Sequence, residues 1–468
     1  MTDEYDLIIL GSGSTAFAAA LRAQSRGARV LMIEKGVLGG TCINWGCIPS
    51  KTLIHAAQFY QDARLGARVG LGLREEGVDF ACLTDHKEQV VGHLRQTRYL
   101  DILHNVPGLT LLRGTGRFLD PHAIEVEGQR IRGERFLVAT GGYPRIPAIP
   151  GLTEGNFLTS RSALLLKELP RSLVIIGGGV IALEMGQMYR RLGTSVTVLE
   201  HGPRVLPAVD GDVALAVQEA LRGEGMDIVL DVTVCGVARR DGATFVQCEQ
   251  GGSPVEFSAE RLLVAVGTAP ATAGIGLDRA GVELEPKGFV RVDERLRTSA
   301  PGIWAAGDVT GGMMIATAGA REGVVAVDDM FEPGCGCTLD HLSTPMAIFT
   351  DPEVGLVGHT EATARKAGYE VMSNILPVSA IPKAHVTGQK AGIIKLVADA
   401  ATGRILGVHL ACHRGADIIN EAALAVRFRM TVAELANSLH VYPSMGEGLR
   451  LCAQGFGRDV SLLSCCAE

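Results

Sequence analysis

The chain has 468 residues, of which 47% are hydrophobic, and its formal net charge is −7 at pH 7. This length exceeds one ordinary hydrophobic core, so we expect a soluble globular protein of two or three domains. The acidic balance argues against nucleic acid or an anionic membrane surface as the main partner. The N-terminus has neither the basic flank nor the apolar length of a signal peptide, so we expect a cytoplasmic protein.

The first predicted element is a short apolar strand, YDLIIL, which leads into a glycine turn. Gly11, Gly13 and Ala16 precede an alanine-rich helix, and a second strand, ARVLMIE, ends on Glu34. Glycines let the backbone approach a pyrophosphate, the helix N-terminus supplies amides, and the carboxylate holds ribose hydroxyls. The pattern therefore predicts a dinucleotide site, in preference to an ordinary βαβ turn.

Two cysteines follow, in the segment GGTCINWGCIPSK. Cys42 and Cys47 flank four residues, and a helical pattern begins at Pro49. A cysteine just before a helix N-terminus is favoured as the reactive thiolate. The spacing also allows a loop that closes a disulfide. Zinc is the weaker interpretation, because no second CxxC or pair of histidines lies nearby.

The strand, glycine turn and helix recur in SLVIIGGGVIALEMGQMYRRLGTSVTVLE. Gly177 and Gly179 belong to this second turn, and the strand after the helix ends on Glu200. Two such units predict two dinucleotides, which is how a flavin and a nicotinamide are brought face to face.

Three later strands also end at small or acidic residues. Thr140 and Gly141 follow RFLVA, Gly267 follows RLLVAV, and Asp308 stands in AAGDV. Residues of these types are also typical of ordinary turns. After two nucleotide units, however, we interpret Asp308 as an acceptor for the ribityl hydroxyls of a flavin.

Together these motifs resemble the pyridine nucleotide-disulfide oxidoreductase family of flavoproteins, over nearly the whole chain. The resemblance implies an α/β fold with two Rossmann-like dinucleotide-binding domains and a C-terminal α+β dimerisation domain. The implied boundaries are 1–145 for the first part of the FAD-binding domain, 146–268 for the NAD(P)H-binding domain, 269–338 for the return to the FAD domain, and 339–468 for the dimerisation domain with its Cys-Cys tail. It also implies an obligate homodimer.

The resemblance further implies roles for individual residues. Cys47 is expected to contact the flavin as a charge-transfer thiolate, and Cys42 to exchange with substrate. Lys51 and Glu184 match a pair expected beside the flavin, where a cation stabilises negative charge on the reduced ring. The resemblance also implies that Gly40, Thr41 and Lys51 bind the cofactor.

Disulfide reductases of this family carry a histidine and a glutamate near the C-terminus, and the histidine protonates the departing thiolate. Aligning Pro443 and Glu447 with that pattern puts Tyr442 at the histidine position. A phenol with a pKa near 10 is a poor proton donor to thiols at neutral pH. His440, two residues earlier, leaves open whether an imidazole reaches the same place.

The chain ends in SLLSCCAE, with Cys465 adjacent to Cys466. Adjacent cysteines rarely bridge each other, whereas two thiolates satisfy a soft cation such as Hg(II). With the core motifs, the tail resembles the mercury-reducing members of the family. That resemblance implies that the tail of the partner subunit passes Hg(II) from small thiols to Cys42 and Cys47, where it is reduced to Hg(0). It also marks Tyr99 as a second active-site tyrosine, although by pattern alone Tyr99 is simply a helix residue.

The implied cofactors are FAD and NADPH. Glu200 favours an unphosphorylated ribose, so NADH stays possible, while Arg204 is available for a 2′-phosphate.

Cys335 and Cys337 form a CxC pair that we interpret as part of a connector, with soft-metal binding as the alternative. Two other functions stay open: a general disulfide reductase of dihydrolipoamide or coenzyme A disulfide type, and a thiol metal-sequestering protein.

Overall fold

The structure is a computed structural model that describes residues 5–73, 77–153 and 155–458. Cys465 and Cys466 lie outside the described residues. Among the helices of these ranges, none combines the length and the apolar character that crossing a membrane requires.

The elements of the first half of the chain are β1 (Leu7–Leu10), α1 (Ser14–Gln24), β2 (Val30–Glu34), α2 (Gly40–Asn44), α3 (Cys47–Arg68), α4 (Phe80–Arg95), a π-helical turn (Gln96–Leu100), α5 (Asp101–Asn105), β3 (Leu109–Arg113), β4 (Arg117–Asp120), β5 (Ala123–Val126), β6 (Gln129–Arg132), β7 (Phe136–Val138), β8 (Gly142–Pro144), α6 (Ser160–Ala163), β9 (Ser172–Ile176), α7 (Val180–Leu192), β10 (Ser195–Leu199) and α8 (Gly211–Gly223).

The elements of the second half are β11 (Asp227–Val229), β12 (Val232–Arg240), β13 (Ala243–Gln250), β14 (Ser253–Ala259), β15 (Arg261–Val264), β16 (Thr268–Pro270), β17 (Ile303–Ala305), a 3₁₀ turn (Asp308–Thr310), α9 (Ala316–Phe331), β18 (Met346–Ile348), β19 (Glu353–Gly358), α10 (Glu361–Lys366), β20 (Val371–Pro377), a 3₁₀ turn (Val378–Ala380), α11 (Pro382–Thr387), β21 (Ile393–Asp399), β22 (Ile405–Cys412), α12 (Gly415–Arg427), α13 (Val432–Ala436) and α14 (Glu447–Gln454).

The first sheet is parallel, in the order β17-β7-β1-β2-β3. All four residues of β1 are buried, because a parallel sheet is covered on both faces and its strands are apolar throughout. Helices α1 and α9 pack together against one face, and residues of β4, β5 and β6 share the core on the other. Strand β17 pairs with β7, so the chain returns to this sheet after passing through the second unit.

The second sheet is also parallel, in the order β11-β10-β9-β15, with the antiparallel strands β12, β13 and β14 packed beside it. The C-terminal part is different: five antiparallel strands in the order β18-β19-β22-β21-β20 pack against α12 and α14. The predicted α/β fold, with two Rossmann-like units and an α+β C-terminal domain, is confirmed.

A buried lysine joins the second unit to the C-terminal domain. The Lys395 ammonium on β21 contacts Asp210 at 3.1 Å, Asp212 at 2.6 Å and Glu361 at 2.8 Å, and its side chain is only 4% exposed. A charge that is so deeply buried is tolerated only when it is paired and hydrogen-bonded. The contacts with Asp210 and Asp212 fix the C-terminal domain against the start of α8.

Candidate active site

A cleft opens where β1, β2, β7 and β17 end at their carboxyl edges, which is where open parallel sheets bind ligands. Its walls come from the turns after these strands, from α2 and from the start of α3 and α9. The lining residues are Gly11, Ser12, Gly13, Ser14, Thr15, Glu34, Gly40, Thr41, Cys42, Gly46, Cys47, Ala139, Thr140, Gly141, Ala306, Asp308, Met314 and Ala316. Ala16 is instead fully buried inside α1, beneath the cleft.

The first glycine of each nucleotide turn is required by close backbone packing. Gly11 has φ +117°, and a Cβ there would lie 2.3 Å from the Ala139 carbonyl oxygen. Gly177 has φ +106°, and its Cβ would lie 2.6 Å from the carbonyl oxygen of Ala265. At both positions the positive φ disfavours any residue other than glycine, and the nearby carbonyl oxygen leaves no room for a side chain. The two units repeat the same local geometry.

Polar groups at the cleft fit a flavin dinucleotide. Glu34 ends β2, and it accepts hydrogen bonds from the Ser12 hydroxyl and the Gly36 amide, each at 2.6 Å, so its carboxylate is fixed beside the first turn. The Thr140 hydroxyl is buried and has no hydrogen-bond partner within the described part of the chain. Buried hydroxyls are normally hydrogen-bonded, so we expect the Thr140 hydroxyl to form a hydrogen bond with a bound molecule.

Asp308 lies in the cleft at the start of the 3₁₀ turn. Burial raises the pKa of the Asp308 carboxyl, and the nearby Glu322 raises it further. Glu322 is itself buried and accepts the Gly307 amide at 2.7 Å. A half-buried carboxyl in this position can exchange hydrogen bonds with the hydroxyls of a polyol such as ribitol.

Cys42 and Cys47 are both thiols in this structure, and both line the cleft. Cys42 lies in the short helix α2, and Cys47, expected just before a helix start, is the first residue of α3. A hydrogen bond from the Cys42 thiol lowers the pKa of Cys47 to about 7, and the Lys51 charge lowers it as well. The same hydrogen bond, together with burial, raises the pKa of Cys42. Cys47 is thus the member of the pair that ionises near neutral pH.

Lys51 follows Cys47 by one helical turn on α3, so both side chains project from the same face of the helix. The Lys51 ammonium lies 2.7 Å from the Glu184 carboxylate of α7. The second oxygen of Glu184 accepts the Phe349 amide at 2.9 Å, and the Lys51 ammonium also lies 4.6 Å from the centre of the Phe349 ring. The predicted lysine and glutamate are therefore brought together, and a phenylalanine of the C-terminal domain holds both.

Tyr99 lies in the π-helical turn that continues α4. π-Helical turns are rare and often occur at functional sites. The Tyr99 ring packs edge-on against Phe17, with ring centres 4.7 Å apart. Burial raises the pKa of Tyr99 to about 12, and the proximity of Cys42 and Cys47 contributes to this shift. The phenol therefore keeps its proton at neutral pH.

The second nucleotide turn is organised around Glu200, directly after β10. Its carboxylate accepts the Gly178 amide at 2.6 Å and the Gly202 amide at 2.7 Å. Gly179 caps the N-terminus of α7, whose amides face the same turn. Gly267 adopts φ +108° between β15 and β16, and its carbonyl accepts the Arg145 amide at 2.9 Å. These groups fit the pyrophosphate and ribose of a second dinucleotide.

Arg204 is engaged elsewhere in the same loop. Its guanidinium donates to the carbonyl oxygens of Leu206 at 2.9 Å, Pro207 at 2.9 Å and Val209 at 3.1 Å. The side chain thereby braces its own loop, a task that the sequence did not reveal.

Tyr442 lies in the C-terminal domain, on a segment that exposes Leu439 by 87% and Val441 by 79%. His440 of this segment contacts the Glu421 carboxylate at 2.8 Å, and this hydrogen bond raises the pKa of the imidazole. The His440 imidazole is largely buried, with 8% of its side chain exposed, whereas Tyr442, two residues later, is 45% exposed.

Some cleft residues carried no recognisable sequence signal. Met314 and Ala316, just before and at the start of α9, line the cleft, and Phe349 of the C-terminal domain contacts Lys51; all three are far from the glycine turns in the chain. Ser12 and Thr15 stand inside the first turn and were accessible to sequence reasoning as its variable positions.

Comparisons with known proteins agree with this architecture. A family model described as pyridine nucleotide-disulphide oxidoreductase matches residues 5–323, and the model of the dimerisation domain of the same name matches residues 344–453. Mercuric reductase of Staphylococcus aureus is 40% identical over 464 residues, which cover 99% of this chain and 84% of that protein. Mercuric reductase of Lysinibacillus sphaericus is 38% identical over 465 residues, covering 99% of this chain and 85% of the relative.

A solved structure is similar over the same extent. The Cu(II) complex of the HOCl-induced flavoprotein disulfide reductase RclA from Escherichia coli superposes with a TM-score of 0.87 at 32% identity. The match covers 97% of this chain and 100% of the RclA chain.

Proposed function

Because the chain belongs to the pyridine nucleotide-disulphide oxidoreductase family, we propose that it reduces Hg(II) to Hg(0) with electrons from a nicotinamide dinucleotide, through bound FAD. The observation that carries the proposal is the Cys42–Cys47 thiol pair in the dinucleotide cleft, one helical turn from Lys51. The likeness to mercuric reductases over almost the whole chain supports Hg(II) as the substrate.

When bound, FAD would accept a hydride from the nicotinamide and pass two electrons onward. The residues that would hold FAD are Gly11, Gly13, Glu34, Gly40, Thr41, Thr140, Gly141 and Asp308, all of which line the cleft. The Lys51 cation would stabilise the negative charge that reduction brings. Glu184 and Phe349 keep the lysine oriented, because both contact it from separate domains.

The thiol pair would hold the substrate. Two thiolates complete the linear coordination that a soft cation such as Hg(II) prefers, whereas oxygen and nitrogen ligands bind it weakly. Hg(II) arriving as a complex of two small thiols would exchange both ligands: Cys42 and Cys47 give up their protons, and the two small thiols leave protonated. Two electrons then reduce the ion, and uncharged Hg(0) departs while both sulfurs stay with the protein.

Tyr99 would position the substrate in this pair. Its phenol lies near both thiols and stays protonated, since its pKa is raised to about 12. It can therefore donate a hydrogen bond to a thiolate that has lost its own partner to the metal.

The nicotinamide dinucleotide is proposed to be NADH. The Glu200 carboxylate is fixed at the end of β10, where it can accept the hydroxyls of an unphosphorylated ribose. Arg204 is committed to three carbonyls of its own loop and offers no preformed partner for a 2′-phosphate. The family resemblance implies NADPH, whereas Glu200 favours NADH; the contacts of Arg204 support NADH.

The active enzyme is proposed to be a homodimer. The chain contains the dimerisation domain of its family, and that domain exposes Phe428 by 72%, Leu439 by 87% and Val441 by 79%. Large apolar side chains that a domain leaves exposed are typical of a surface that contacts another protein. In the proposed dimer, Tyr442 and the Cys465–Cys466 pair of one chain serve the cleft of its partner; Cys465 and Cys466 lie outside the described residues.

One experiment tests the central proposal. Purified flavoprotein is mixed anaerobically with NADH or NADPH, with and without Hg(II) complexed to small thiols, while nicotinamide oxidation and volatile mercury are recorded together. The proposal requires one Hg(0) for each nicotinamide oxidised. Oxidation without Hg(0) release would refute it.

A second candidate is disulfide reduction. His440 is hydrogen-bonded to Glu421, and this contact raises the pKa of the imidazole, as a proton donor for a departing thiolate requires. The similar solved protein is itself named a disulfide reductase. Turnover of lipoamide, glutathione disulfide or coenzyme A disulfide in place of Hg(II) would favour this candidate. A protein that purifies without flavin and only binds metal would instead support a sequestering role.

A further inference from the structure

A second pair of cysteines lies in the loop between α9 and β18. Cys335 and Cys337 are separated only by Gly336, which is exposed and has φ +65°. Around Gly336 the space is open, because a Cβ built there would meet nothing within 4 Å. The two thiols thus flank a tight turn at the protein surface.

Each cysteine side chain contacts the backbone of the other residue. The Cys337 amide donates to the Cys335 sulfur at 3.3 Å, and the Cys337 sulfur lies 3.8 Å from the Cys335 carbonyl oxygen. Both cysteines are half-buried free thiols, and neither belongs to a hydrophobic cluster of the described chain. Cys412 and Cys452, by contrast, are buried in the C-terminal core. A packing role therefore explains the core cysteines and leaves the CxC pair unexplained.

The pair is remote from the redox cleft. Helix α9 begins at Ala316, which lines the cleft, and it has 16 residues. At 1.5 Å per residue the helix is about 24 Å long, and Cys335 lies beyond its far end. Electrons that arrive in the cleft do not reach this loop directly, so a metal held there would be bound and not reduced.

We propose that Cys335 and Cys337 form a second binding site for a soft, two-coordinate cation such as Hg(II), separate from the site of reduction. Two thiolates complete the coordination of such an ion. The loop offers these two thiols.

Binding is a ligand exchange without net oxidation or reduction. Hg(II) carried by two small thiols forms two new bonds, to the sulfurs of Cys335 and Cys337, and loses its two old ones. The protons of the protein thiols leave with the released small thiols. The choice of Hg(II) as the ion rests on the proposed function, whereas the site itself rests on the loop geometry.

The test counts metal in the oxidised holoenzyme without any nicotinamide, so it does not depend on reductase activity. Wild type and Cys335→Ser/Cys337→Ser are loaded with Hg(II), washed with excess glutathione, and analysed for mercury per chain. The double variant should retain about one ion fewer, since two thiolates hold one ion. The matched control is Cys82→Ser/Cys235→Ser, which removes two exposed thiols that are distant from each other in the sequence, and it should retain the wild-type number.

A second readout locates the ion. Iodoacetamide should alkylate both cysteines of the CxC peptide in the metal-free enzyme, and added Hg(II) should protect both, as mass spectrometry of the peptides would show. Single variants Cys335→Ser and Cys337→Ser should each lose the protection of the remaining thiol in the glutathione wash. Equal mercury in wild type and double variant, or alkylation that Hg(II) does not change, would overturn the proposal. Either result would leave Hg(0) production in the cleft untouched.

Discussion

The Lys51 ammonium and the Glu184 carboxylate lie 133 residues apart in the chain and 2.7 Å apart in space. Glu184 has a 6% exposed side chain, whereas that of Lys51 is 31% exposed. The glutamate is thus a buried anchor for a more accessible cation. Glu184 also accepts a hydrogen bond from the Phe349 amide, so the C-terminal domain contacts the same ion pair.

Replacing Lys51 with Met should slow flavin reduction and Hg(0) formation by about 10²–10³, the usual loss when one preorganised electrostatic group is removed. Stopped-flow flavin absorbance with the nicotinamide in excess measures the first step. Lys167→Met is the matched control, because Lys167 forms only an exposed ion pair with Asp85. Equal rates in wild type and Lys51→Met would remove the lysine from the mechanism.

The thiol pair should show a pH dependence. Because the pKa of Cys47 is lowered to about 7, its thiolate fraction and its alkylation rate in the metal-free enzyme should rise through pH 7 and level off above it. The long-wavelength charge-transfer absorbance should follow the same curve and be absent in Cys47→Ala.

Cys42→Ala removes the hydrogen bond that lowers the pKa of Cys47, so the midpoint of this curve should move to higher pH. Lys51→Met should move it in the same direction. A midpoint that stays near 7 in both variants would show that neither group sets the acidity of Cys47.

Glu200→Gln should lower kcat/KM for NADH about tenfold, because a charge-assisted hydrogen bond to the ribose becomes a neutral one. The value for NADPH should fall less or rise, since a carboxylate repels the 2′-phosphate. Glu256→Gln, on the exposed side of β14, is the control. A wild-type enzyme that prefers NADPH would contradict the assignment of Glu200.

Tyr99→Phe should lower Hg(II) turnover about tenfold, since the variant lacks one hydrogen bond to a charged group, and leave hydride transfer to the flavin intact. Because the pKa of Tyr99 is raised to about 12, ionisation of this phenol should not change the wild-type rate below pH 10. Tyr60→Phe serves as the control, because Tyr60 stacks with Arg64 on α3. A loss of hydride transfer in Tyr99→Phe would point to a structural role.

Changing Cys465 and Cys466 to Ala should impair the turnover of thiol-bound Hg(II) and spare flavin reduction. Heterodimers of a Cys42→Ala chain with a tail-deleted chain should regain part of the activity, because one of their two clefts has an intact thiol pair and the tail of its partner. Recovery is measured against each parent homodimer. No recovery would mean that the tail of one subunit does not serve the cleft of the other.

Much of the site was accessible from the sequence because it rests on local rules. Gly11 and Gly177 were identifiable since a left-handed backbone and a close carbonyl leave no room for a side chain. Cys47 was identifiable as a reactive thiol because it stands at a helix start. The helix begins two residues before the predicted Pro49, a shift that puts Cys47 and Lys51 on one face.

The sequence by itself determined the two nucleotide units, the cysteine pair and the family, because glycine turns, helix starts and apolar strands are set by neighbouring residues. Only the tertiary structure decided that Phe349 joins Lys51 and Glu184, that Arg204 braces its own loop, and that Cys335 and Cys337 contact each other's backbone after the end of α9. Such contacts depend on how separate domains and loops pack. The side chains involved have no periodicity that records their partners, so spacing along the chain does not reveal them.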